Sequence, residues 1–240
     1  MDQIIDVDTM FGPLPAGAAD LSVDELAEMM RRHGVQACCT LSTVGMLLDH
    51  NAGNGATRAA CSEQSGLLPV ATWNPQVSFA GEGPFSRFKS DGFKMVRFFP
   101  AEQGWDPAYA PMRQLAKALQ ADSLPLMIDV EKSGAATRVA ESLAGNPAAV
   151  ILTGVDETTI AEAVALMRDN DRLYLSTANL VAVGLVRQVV DSVGAERLLY
   201  GSGAPSRPMA SALGVLRFAG LAGEQQAAIL GGNARRLFGV

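Results

Sequence analysis

Histidine is the scarcest functional side chain: 240 residues carry only His33 and His50. A transition-metal centre built on three or four imidazoles cannot be assembled from two. Cysteine is nearly as rare. Cys38, Cys39 and Cys61, two of them adjacent, give no paired disulfide framework and fit a reducing compartment. Positive charge is also in deficit, with 19 Lys and Arg against 25 Asp and Glu and a net charge of −6. That leaves no global basic field to attract nucleic acid or an anionic membrane. Long apolar runs are missing, because a charged residue, Gly or Pro breaks every stretch before the roughly 18 residues of a spanning helix. Met1-Asp2-Gln3 leads straight into a strand-like run, with neither the basic nor the apolar region of an export signal. The chain is therefore expected in the cytoplasm, with neither nucleic acid nor membrane as a partner.

What is abundant is core material. Hydrophobic residues make up 48% and charged residues 18% of the chain, and a chain of this length buries about 70% or more of its unfolded surface. Short apolar runs alternate from end to end with segments of helical period, the signature of βα units on a parallel sheet. The runs at 3–9, 35–41, 67–73, 92–99, 124–130, 148–153, 172–177 and 197–201 read as eight strands. The first helix announces itself by the capping box Ser22-Val23-Asp24-Glu25 and by Gly34 after its last turn. Further helices read at about 52–65, 107–120, 135–143, 158–168, 180–192 and 209–219. Segment 78–89, with Gly81, Gly83 and Pro84, reads as a short helix or irregular crossover, and 224–240 as a docked helical tail.

Eight strands with eight crossovers match a (β/α)8 TIM barrel, taken as one domain over residues 1–240. An open doubly wound sheet is the alternative. No Gly-x-Gly-x-x-Gly follows any candidate strand, and Gly53-Asn54-Gly55 has no strand before it, so a dinucleotide site is not expected.

Five segments carry a resemblance. They are Asp6-Val7-Asp8-Thr9-Met10-Phe11-Gly12, Gly92-Phe93-Lys94-Met95-Val96-Arg97-Phe98-Phe99-Pro100, Leu124-Pro125-Leu126-Met127-Ile128-Asp129, Gly201-Ser202-Gly203-Ala204-Pro205, and the terminal Ile229-Leu230-Gly231-Gly232-Asn233-Ala234-Arg235-Arg236-Leu237-Phe238-Gly239. In this order they resemble the amidohydrolase-related family of the metal-dependent hydrolase superfamily. The resemblance implies a (β/α)8 barrel, a hydrolase, and a metal held by two histidines after the first strand, one each after the fifth and sixth, and an aspartate after the eighth. At those positions this chain has Asp8, Met10, Asp129, Thr153 or Gly154, and Gly203. None retains the family residue, so no metal cofactor is expected.

Alternation along a strand puts Asp6, Asp8 and Met10 on one face, and Met127, Asp129 and Glu131 on another. Two carboxylates crowded at the barrel mouth raise one pKa unless something compensates. Arg97, in phase with Met95 and Phe99, could enter as an internal cation. Mg²⁺ or Ca²⁺ could bind Asp8 and Asp129, or one carboxyl could stay protonated as a general acid. Candidate ligand contacts are Trp73 and Asn74, Phe99, Thr153, Ser176, Ser202, Arg207 and His50, all following or ending strands. His33, at a helix end, reads as structural. The cysteines read as buried and inert.

Three readings follow. The first is a pseudoenzyme that binds a small polar or anionic molecule without the family's metal chemistry. The second is an active hydrolase or lyase on a small carboxylate or lactone, with Asp8 and Asp129 as an acid/base pair and Arg97 orienting the anion. The third is a structural subunit, with a second copy of the chain or another protein as partner.

Overall fold

The computed structural model describes residues 3–14, 20–77, 85–119 and 124–240. Its strands are β1 (Ile5–Phe11), β2 (Ala37–Ser42), β3 (Leu67–Thr72), β4 (Met95–Phe98), β5 (Leu126–Asp129), β6 (Val150–Thr153), β7 (Leu173–Ser176) and β8 (Leu198–Leu199). They pair in parallel in chain order. The last strand returns to the first: Val7 N–H donates to the Tyr200 carbonyl at 2.9 Å, Met10 N–H to Ala204 at 2.8 Å, and Gly203 N–H to Asp8 at 2.9 Å. The eight-stranded TIM barrel read from the sequence is the fold.

The helices are α1 (Val23–His33), α2 (Thr43–Leu47), α3 (His50–Glu63), α4 (Phe85–Phe88), α5 (Pro100–Gln103), α6 (Ala110–Leu119), α7 (Ala135–Ser142), α8 (Ile160–Asp169), α9 (Leu185–Val193), α10 (Met209–Arg217), α11 (Gly223–Ala227) and α12 (Asn233–Phe238). α1 starts and stops where its residues dictate. Ser22 Oγ accepts from Glu25 N–H, the Glu25 carboxylate accepts from Ser22 N–H, and Gly34 closes the helix in the left-handed region. Of segment 78–89, residues 78–84 lie outside the described part, and the next four form α4.

Apolar residues separate into two layers. Val96, Phe98, Leu126 and Ile128 face outward into the helices, while Ile5, Val7, Cys39, Val70, Met95, Met127, Ile151 and Leu199 fill the barrel. The tail plugs the N-terminal end, where Ala234 and Phe238 join the interior cluster. Asn233 Nδ2 ties it to the carbonyls of Ala195 and Leu198, each at 2.8 Å. With that end filled, the opposite end, where the strands finish, is left to carry a site. Among the described residues no helix is long and apolar enough to cross a membrane.

One alternation fails. Between Asp6 and Thr9, β1 advances three residues while β2 advances two, from Cys38 to Thr40, so β1 carries a bulge. The extra residue changes the face: Ile5 and Val7 point inward, and so do Asp8 and Met10. Asp6 therefore does not share the face of Asp8 and Met10. Its Oδ1 accepts instead from the backbone N–H of Asp8 and of Ser202, both at 3.0 Å, bracing the bulge against β8.

Candidate active site

At the C-terminal mouth of the barrel, a guanidinium from β4 meets two carboxylates. Arg97 donates from Nη1 to Asp8 Oδ1 at 2.6 Å and from Nη2 to Asp129 Oδ1 at 3.1 Å, with all three side chains buried. The ring of Phe99, the residue just past the end of β4, lies 4.7 Å from the guanidinium carbon, within cation–π range. Thr153 Oγ1, at the end of β6, donates to Asp8 Oδ2 at 2.7 Å, and Ser176, at the end of β7, reaches the same oxygen at 3.4 Å. Both oxygens of Asp8 are thus occupied. The backbone of β8 can approach this cluster because residue 201 is glycine: a Cβ there would lie 2.3 Å from Ser176 Oγ and 2.9 Å from Asp8 Cβ.

Asp129 is placed differently. Only its Oδ1 takes a hydrogen bond among the described residues, and burial, opposed by the field of Arg97, pushes its pKa up to about 7. Burial also opposes the charge on Arg97, but the fields of Asp129 and Asp8 and the hydrogen bonds to both outweigh it and hold the guanidinium charged. A second buried carboxyl, Asp6, is likewise raised to about 7 by burial, although it faces away from the mouth.

Above the triad lies a cavity of about 200 Å³, into which Asp8, Arg97, Asp129, Phe99 and Met10 project from below. Arg207, Ser206 and Asn179 supply polar groups from the loops after β8 and β7, and Glu102 of α5 and Glu131 from the loop after β5 add carboxylates. Among the described residues, Arg207 has no carboxylate within ion-pairing distance. Among the described residues lining this cavity, Arg207 is therefore the cation left to pair with an incoming anion, since the charge of Arg97 is already shared between Asp8 and Asp129.

Of the residues singled out in the sequence, Asp8, Arg97, Asp129, Phe99, Thr153, Ser176 and Arg207 come together here. The others do not line this cavity. Trp73 packs in the layer between sheet and helices, with the His50 ring 3.9 Å away, and burial lowers the pKa of that imidazole. The Asn74 side chain accepts from Gln76 N–H, a local turn. Ser202 is buried and caps Ala204 N–H. Glu102 and Asn179 were not anticipated. The first-turn signal Pro100-Ala101-Glu102 of α5 could have pointed to Glu102, whereas nothing in the pattern marks Asn179.

A family profile described as Amidohydrolase matches residues 86–240, nearly two thirds of the chain. The chain belongs to the amidohydrolase family. Among solved structures, it is similar to a 2,6-dihydroxybenzoate decarboxylase complexed with 2,6-dihydroxybenzoate, with a TM-score of 0.79, 15% identity and all of both chains covered. It is similar also to a 5-carboxyvanillate decarboxylase from Sphingomonas paucimobilis, at TM-score 0.75 and 15% identity over all of both chains. A Pseudomonas putida structure assigned as a 2-pyrone-4,6-dicarboxylic acid hydrolase aligns at TM-score 0.76 and 18% identity, covering 100% of this chain and 98% of that one. At these identities the likeness is one of fold. The curated proteins yield no match.

A family metal does not fit the residues present. The mouth offers carboxylate oxygens, a thioether and the hydroxyls of Thr153 and Ser206 but no imidazole, since His50 lies against Trp73 and His33 ends α1. A cation between Asp8 and Asp129 would have to displace the guanidinium that bridges them. Among the described residues no group of three or more His, Cys, Asp or Glu is arranged to hold an ion.

Proposed function

We propose that the protein is a hydrolase or lyase acting on a small carboxylate or lactone, with Asp129 as the proton carrier. The observation that supports this reading is the unequal environment of two neighbouring carboxyls. Asp8 is saturated by Arg97, Thr153 and Ser176, whereas Asp129 has one uncommitted oxygen, a pKa near 7 and a place on the cavity wall. Groups whose environments separate their roles in this way mark acid/base assignments. Asp8 then positions Arg97, and Arg97 positions Asp129.

In hydrolysis, ionised Asp129 takes a proton from the water that attacks the acyl carbon and returns it to the leaving oxygen. In decarboxylation, protonated Asp129 gives its proton to the carbon that CO₂ leaves, where the bonding pair remains. Either way the substrate carboxylate pairs with Arg207 by charge-assisted hydrogen bonds. Acids of this size are named for the similar structures, a dihydroxybenzoate, a carboxyvanillate and a pyrone dicarboxylate. The three free thiols favour the reducing cytoplasm as its compartment.

Those three acids form the test panel, with ring opening followed by ultraviolet absorbance and decarboxylation by CO₂ release. One of them should turn over with an apparent pKa near 7 in kcat/KM, and Asp129→Asn should lower kcat by roughly 100-fold or more. The proposal fails if folded wild-type protein leaves all three untouched between pH 5 and 9, or if Asp129→Asn keeps its turnover.

A further inference from the structure

A second cavity, about 250 Å³, opens beside the first and shares Asp129 and Glu131 with it as a common wall. Its character differs. Pro100 and Ala101 of α5, Trp105 and Pro107 in the following loop, and Ala135 at the start of α7 give it apolar sides. The indole of Trp105 is held rigid: its Nε1 donates to Gln103 at 2.9 Å, its ring stands edge-on to Phe98 at 6.3 Å, and Gln103 Nε2 is anchored on the Met46 carbonyl at 3.2 Å. A preorganised aromatic wall costs little entropy when a ligand packs on it. Across the rim, Arg138 of α7 pairs with Asp106 at 3.2 Å, joining α7 to the loop between α5 and α6.

Size decides how the two cavities are used. The first, at about 200 Å³, falls below the roughly 300 Å³ at which ligand pockets usually begin, and it is crowded by charge. Together the two reach that range. We infer that they are two halves of one site, the polar half taking the acid group and the half walled by Trp105 taking an apolar arm two or more bonds beyond it. This rests on the reading of the first cavity as an anion site. It makes Ala101, Trp105 and Ala135 the specificity-determining positions, and an acid with a ring-bearing or branched apolar arm the substrate class. Asp129 sits at the junction, where the reacting bond of such a substrate falls.

Equilibrium binding of propanoate and of 3-phenylpropanoate to the whole protein tests this. The phenyl acid should bind wild type at least roughly tenfold tighter, from the apolar area it buries. Ala101→Trp, whose new side chain grows from an exposed position, should bring that ratio close to one by filling the second cavity. Trp105→Leu, which removes the aromatic wall, should reduce it. Equal binding of the two acids to wild type overturns the inference, as does a preference that both variants leave intact. Absence of binding by either acid overturns it together with the anion reading. Failure of the proposed function looks different, because turnover that survives Asp129→Asn leaves the ratio untouched.

Discussion

Arg97→Met is the most informative single change, because it keeps an unbranched apolar stem while deleting the guanidinium that, among the described residues, pairs with both Asp8 and Asp129. Both carboxylates are buried, at 2% and 7% exposure, so solvent cannot take over the role of the guanidinium. Breaking a buried ion pair from one side costs about 3–5 kcal/mol. At an m-value of about 3 kcal/mol per molar urea, the midpoint should fall by about 1–1.7 M. The pH dependence gives the sharper test. Asp129 already has a folded pKa above its unfolded value of 3.8, and loss of the Arg97 field raises it further. A carboxyl with a raised folded pKa costs nothing below the unfolded value, and its cost grows as pH climbs towards the folded value. The deficit of the variant should therefore be clearly larger at pH 8 than at pH 5. Adding Asp129→Asn to Arg97→Met should recover part of it at pH 8. Urea unfolding followed by the fluorescence of Trp73 and Trp105 reads all three proteins. A deficit below about 1 kcal/mol, or one equal at the two pH values, would refute the claim that Arg97 neutralises this pair.

Two other predictions concern the frame that holds the site. Asp6→Asn removes an ionisable group whose folded pKa is about 7 against 3.8 in the unfolded chain; by linkage its stability relative to wild type should improve by about 2–3 kcal/mol between pH 5 and pH 8, and a flat difference across that window in urea titrations would contradict it. Gly53→Ala would place a Cβ 2.2 Å from the backbone of Gly45, where no side chain can yield, so α2 and α3 must separate. Thermal unfolding should show a loss of more than about 3 kcal/mol, and an unchanged midpoint would exclude that contact.

The strands were legible because each is an apolar run closed by a turn residue, and a parallel sheet covered by helices requires just that. Most of their starts were read too early, and most of their ends too late, although β1 and β2 run on to Phe11 and Ser42. Of Arg197–Gly201 only Leu198 and Leu199 form the strand, although the Tyr200 carbonyl still accepts from Val7 N–H of β1. α2 and α5 were missed for a different reason: four or five residues are too few to show a 3.6 period. α9 starts at Leu185 rather than near residue 180, because Gly184 takes a left-handed conformation just before it. In the site, Asp129, Glu131 and Arg97 followed strand alternation faithfully. Asp6 did not, because a β-bulge adds a residue without leaving a mark in the side-chain pattern. The pairing of Arg97 with both carboxylates was one of three physically allowed compensations, and only three-dimensional register selects among them.

A guanidinium between two carboxylates, where the family resemblance implies a metal, has a chemical consequence. A hydrolytic metal lowers the pKa of its bound water to about 7 and so creates a nucleophile at neutral pH. A guanidinium is permanently charged and cannot do this, because it offers hydrogen bonds rather than an open coordination position. Chemistry at neutral pH then needs another group that changes charge near pH 7. Burial of Asp129, only partly offset by Arg97, supplies one. A stronger hold by Arg97 on both oxygens of Asp129 would have pulled that carboxyl down towards the ordinary carboxylate range, and no hold would have left it neutral well above pH 7. The two carboxyls thus differ in their partners: Asp8 takes the 2.6 Å contact from Arg97 and hydroxyls on its other oxygen, whereas Asp129 takes a single 3.1 Å contact and its burial leaves it able to carry a proton.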